Sequence, residues 1–125
     1  MKQRFLREGD ELTDDVTVVV RGGVLDRALL RADAERNHTI YGTYGISVFA
    51  ARDLTVDELA QLSPLIRFAQ LTVMTAGVLR AAGLRLEPTG RNARHYDIAF
   101  DDLDHGIQQL VGCPHQTITN AYHEP

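Results

Sequence analysis

Alternation opens the reading. In DDVTVVVRGG, Val16, Val18 and Val20 fall on one face, with Thr17 and Val19 on the other. β-Branched residues at period two predict a strand, and Gly22-Gly23 ends it. The period then lengthens. In LDRALLRADAERN, Leu25, Ala28, Leu29 and Ala32 recur at i, i+3, i+4 and i+7, which predicts an amphipathic helix with that face inward and an end near Asn37-His38. YGTYG follows, two tyrosines and two glycines around a threonine, and then ISVFA as a second strand.

The middle of the chain is punctuated by caps. Thr55 with Glu58 makes a capping box, so a helix starts there with Leu59 and Leu62 facing in. Ser63-Pro64 reads as a fresh start, Ser as N-cap and Pro at the first helical position, with a second short helix, or a kink, carrying Leu65, Phe68 and Ala69. LTVMT is too short an apolar run to assign to strand or helix. Thr75 caps a two-turn helix that Gly83 ends in a left-handed conformation. LRLEPT reads as a strand stopped by Pro88, TGRNAR as a polar turn, and HYDIAF as a strand with Tyr96, Ile98 and Phe100 on one face. DDLDHGIQQLVG is a final helix whose acids suit its N-terminus.

Strands and helices are mixed but do not alternate strictly. The expected class is α+β, a single domain over residues 1–125 with a mixed or antiparallel sheet and short helices. Residues 1–14 are expected to be a loose segment on which Phe5 and Leu6 find a docking place, and 113–125 a tail of undecided structure.

Composition narrows the partners. An apolar content of 44% and a charged content of 24% are those of an ordinary folded domain. With 13 basic and 17 acidic residues the net charge is −4, which argues against nucleic acid as a partner. No apolar run reaches the roughly 18 residues of a membrane span, and MKQRFLREGDEL has no signal-peptide core, so a cytoplasmic protein is expected. The single cysteine, Cys113, fits a reducing compartment. Cys113, His115 and His123 lack the close ligand pairs of a zinc site, so no metal is expected.

Four places carry candidate chemistry. Arg21 closes a valine strand just before Gly22, where a guanidinium fork meets a phosphate and glycine lets a ligand approach the backbone; an arginine leaving a sheet edge into solvent is the alternative. Ser47 lies opposite Ile46 and Val48 in its strand, as a hydroxyl for a ribose or on a solvated face. Tyr41 and Tyr44, on a glycine-flanked turn, suit either stacking on a planar ring or capping the core, the first reading favoured for Tyr44 and the second for Tyr41. His95 and Asp97 share the strand face opposite Tyr96, as an acid/base pair or as surface polarity.

The combination of VVVRGG, a helix, GISVF and HYDIAF resembles the ADP-ribosyltransferase-like fold, in particular its small bacterial effector and toxin–antitoxin toxins. The resemblance implies NAD as substrate, with Arg21 as the dinucleotide-contacting arginine, Ser47 as the strand serine, and His95 or Tyr96 in the cleft. GISVF has one serine where the family often has Ser-Thr-Ser, and no Q/E-x-E glutamate is present. Glu87, Asp97 and Glu124 are the acids available in its place, so hydrolysis of NAD without transfer stands beside transferase activity. The implied partner is an antitoxin or immunity protein. The rivals are a non-enzymatic interaction module, such as a homodimer, and an RNA-acting toxin using His95 with Arg91 and Arg94.

Overall fold

A computed structural model, described over residues 2–125, gives an α+β domain built on one six-stranded sheet. The strands are β1 (Thr17–Gly22), β2 (Tyr44–Ala50), β3 (Gln70–Thr75), β4 (Arg85–Pro88), β5 (His95–Phe100) and β6 (Gln116–Thr119). Their order across the sheet is β4-β5-β2-β1-β3-β6, and every neighbouring pair is antiparallel. The helices are α1 (Arg27–Tyr41), α2 (Val56–Ala60), α3 (Ala76–Ala81) and α4 (Leu103–Val111), with a 3₁₀ turn at Leu65–Arg67.

Strand alternation divides the core in two. Val18, Val20, Ile46, Val48, Tyr96, Ile98 and Phe100 bury against Leu30 and Ala34 of α1, Leu79 of α3, and Ile107 and Leu110 of α4. Val19 and Leu71 on the other face meet Leu59, Ala60 and Leu65 from α2 and the 3₁₀ turn. β1 and β3 are thus covered on this second face at Val19 and Leu71.

The caps form as their residues predict. Thr55 Oγ1 accepts from Glu58 N at 3.1 Å, and Glu58 Oε1 accepts from Thr55 N at 3.0 Å. Thr75 Oγ1 accepts from Val78 N at 3.2 Å, and Gly83 is left-handed. LTVMT is strand, fixed by long-range pairing with β1 and β6. At Ser63-Pro64 no side chain caps the 3₁₀ turn, and Phe68 lies 40% exposed instead of packing inward.

Helix α1 corrects the expected inward face. Its N-cap is Asp26, and the buried positions are Leu30 and Ala34, while Leu29 is 51% exposed. Alanine favours helix on any face, so Ala28 and Ala32 were weak markers of burial. The helix runs through Tyr41, where Gly42 (φ 79°) returns its N–H to His38 O at 2.8 Å. Tyr41-Gly42 is therefore a helix end, and Tyr44 already belongs to β2.

Both termini are tied to the body. Lys2 N donates to Ile40 O, Arg7 N to Pro88 O and Gly90 N to Phe5 O, and Leu12 is buried. The C-terminal segment supplies β6 on the edge of β3, and Asn120 Nδ2 donates to Ala60 O and Leu65 O. No described helix is long and apolar enough to cross a membrane.

Candidate functional site

The sheet forks between its two central strands. β1 and β2 are in register only at Val18–Ala50 and Val19–Phe49, whereas β2 stays paired with β5 from Tyr44 to Phe49. Directly after Val19 the register of β1 against β3 slips by one residue, a bulge that bends the strand and re-aims its side chains. Beyond that point β2 has no strand on its β1 side. Helix α1 fills part of the gap, and Asn37 Nδ2 donates to Gly45 O at 2.7 Å.

Two cavities occupy the fork and share Asp33 and Ser47. One, of about 190 Å³, is lined by Arg21, Gly22, Asp33, Ser47, Phe49 and Phe68 among others. The other, of about 290 Å³, is lined by Asp33, Arg36, Asn37, Ile40, Tyr41, Gly45 and Ser47. Together they make a groove with an aromatic end, a hydroxyl and a carboxylate at its waist, and a polar end.

Arg21 enters this groove half-buried. Its Nε donates to Gly22 O at 3.0 Å, and its buried Nη1 has no hydrogen-bond partner among the described residues. A buried guanidinium nitrogen without an acceptor is costly, and an anion in the groove would supply one. Ser47 is exposed into the groove, and its Oγ lies 3.3 Å from Asp97 Oδ1 on the paired strand β5.

Asp97 itself is 4% exposed and faces Arg4, whose Nη1 stands 3.1 Å from Oδ2. Arg4 also lies 3.9 Å from Glu87 and over the Tyr41 ring at 5.2 Å. Gly45 makes room for this cluster: a Cβ there would stand 2.6 Å from Arg4 Nη2.

Arg21, Gly22 and Ser47 therefore share one groove, with Asp97 directly behind Ser47. The other sequence candidates lie elsewhere. His95 is held by Thr89, Nδ1 to Oγ1 at 3.0 Å, and packs edge-on behind Phe49 at 5.5 Å. Although His95 and Asp97 share a strand face, each bonds to different partners. Tyr96 is fully buried, its hydroxyl donating to Asp10 O at 2.5 Å. Tyr44 stacks between His38, at 4.4 Å, and Phe100, at 6.3 Å, outside the fork.

Asp33, Asn37, Phe49, Phe68 and Arg4 join the site without having been singled out for it in the sequence. The signal for two of them was present in α1: Asp33, Asn37 and Tyr41 repeat every four residues beside the buried Leu30 and Ala34. Cys113 is buried, donates to Gln109 O at 3.2 Å, and its thiol is pushed up by burial, which makes it a poor nucleophile. Among the described residues no group of three His, Cys, Asp or Glu could hold a metal. Comparison of the chain with family profiles, curated proteins and solved structures gives no match.

Proposed function

We propose that the fork between β1 and β2 binds NAD and that the protein cleaves its nicotinamide–ribose bond, in the manner of a small ADP-ribosyltransferase-like toxin. The observation that carries this reading is the convergence of Arg21 and Ser47 on one groove, with Asp97 hydrogen-bonded behind Ser47. These are the arginine and the strand serine that the resemblance implies, with one of the acids available in place of the family's glutamate, and they come from three different strands.

In this reading Arg21 forks onto the pyrophosphate, using the nitrogen that lacks a partner. Ser47 and Asp33 take ribose hydroxyls. Phe49 and Phe68 are the aromatic wall for a planar ring, the role that Tyr44 was expected to fill. The glycosidic C–N bond breaks with its electron pair going to the nicotinamide nitrogen, which leaves neutral. Asp97 supplies the negative charge that stabilises the oxocarbenium ion left behind. Water or an acceptor nucleophile then bonds to the anomeric carbon and releases a proton to solvent.

Calorimetric titration with NAD and chromatography of released nicotinamide test this directly. Arg21→Ala is expected to weaken binding by about tenfold or more, the worth of one charge-assisted contact. Equal heats from wild type and Arg21→Ala, with no nicotinamide released by either, would remove the reading.

A further inference from the structure

We infer that residues 2–7 form a releasable latch over the Ser47–Asp97 pair, with Arg4 as its bolt and Arg7 as its fixed end. What the latch regulates rests on the NAD reading above; the latch itself does not.

The two arginines are held very differently. Arg7 donates through Nε to Asp10, through Nη1 to Thr89 O and Gly90 O, and through Nη2 to Ala93 O and His95 O. Arg4 is as deeply covered, its side chain 10% exposed against 11% for Arg7, yet none of its three guanidinium nitrogens makes a hydrogen bond among the described residues. Among the described residues it has charge contact with Asp97 and Glu87, lies over the face of Tyr41 and packs against Gly45. A buried ion pair repays the desolvation of its members best when hydrogen bonds complete it, so Arg4 rests on its charge contacts where Arg7 is fixed by five directed hydrogen bonds.

Lifting the latch sacrifices little apolar burial. Phe5 and Leu6 are each 52% exposed, and the segment is laced down by Lys2 N to Ile40 O, Gly90 N to Phe5 O and the Leu6–Thr89 bridge. With Arg4 in place, Asp97 Oδ2 is neutralised and the wall of the groove at Tyr41 and Gly45 is occupied. With Arg4 withdrawn, the carboxylate opens to the groove beside Ser47.

The test uses the full chain and Arg4→Gln, with Arg4→Lys as a second variant that keeps the charge should the first fold poorly. Carbodiimide labelling with glycine ethyl ester reads the exposure of Asp97, and hydrogen exchange reads the segment. In the wild type, the amides of Lys2 and Gly90 are expected to exchange by local opening, at least about tenfold faster than those of Ile46 and Ile98. Asp97 is expected to label at least about tenfold faster in Arg4→Gln, where its covering charge is gone, and NAD to bind that variant several-fold more tightly. Exchange of the segment only together with the core, or unchanged labelling of Asp97, overturns the latch. Faster labelling with unchanged NAD affinity, while Arg21→Ala still weakens binding, overturns its regulatory role. If NAD binds neither protein, the nucleotide reading falls with that role, and exchange and labelling decide whether the latch exists.

Discussion

The two faces of β2 and β5 divide the labour of the domain. On one, Ile46, Val48, Tyr96 and Ile98 are at most 2% exposed within the apolar cluster, where Asp10 O accepts from the Tyr96 hydroxyl and the Arg7 guanidinium lies over its ring. On the other, the same strands present Gly45, Ser47 and Phe49 beside His95 and Asp97. Adjacent residues of one strand thus serve opposite ends. The first face has no spare polar group, while the second carries a hydroxyl open to a groove and a carboxylate answered by a cation from outside the sheet. A strand that spends half its positions on polar groups gives up burial there, which the first face must supply.

The contrast is broken most severely from the packed side. Ile98→Ala is expected to lower the unfolding free energy by about 2–5 kcal/mol, the cost of a large-to-small change in a filled core, measured by urea denaturation. Ser47→Ala is the converse probe. It should leave stability within about 1 kcal/mol and weaken NAD binding by roughly tenfold, read by denaturation and titration on the same sample. A Ser47→Ala protein as unstable as Ile98→Ala would mean that both faces serve the fold alone.

Smaller effects come from what covers the second face. Thr55→Ala removes one half of the capping box on α2 and should cost about 1 kcal/mol, seen as a lower thermal midpoint. Acid should act more gently. Hydrogen bonding from Arg7 holds the Asp10 carboxyl below its ordinary value, and the Thr55 N–H does the same for Glu58. Groups with depressed folded values stabilise fully above the ordinary carboxylate range and lose that contribution as pH falls through the folded value. Stability should therefore be flat near neutrality and decline below about pH 4, with Asp10→Asn and Glu58→Gln each flattening the decline.

Much of this contrast was legible in the sequence, since the alternation of GISVF and HYDIAF gives the parity that separates Ile46 from Ser47 and Tyr96 from Asp97. The capping residues Thr55 and Thr75 likewise announce their helices, because a cap is decided within four residues. What stayed hidden depends on distant pairing. QTIT becomes β6 only because β3 offers an edge, and LTVMT becomes β3 only between β1 and β6. The meeting of Arg21 with Ser47 requires the bulge after Val19 and the parting of β1 from β2, neither of which has a local signature here. Arg4 reaches Asp97 from the far end of the chain, with no pattern to announce it. YGTYG divides on inspection into a helix stop at Gly42 and a space at Gly45 that a side chain would fill.

The parting of β1 from β2 has a mechanical consequence. Joined only at Val18–Ala50 and Val19–Phe49, with Ala51 N donating to Thr17 O, the sheet is two three-stranded leaves on a short spine, β4-β5-β2 on one side and β1-β3-β6 on the other. Each leaf is firmly laced within itself. The angle between them sets the width of the groove, so the small residues that seat the spine, Val18 and Ala50 above all, act on whatever enters the groove without touching it.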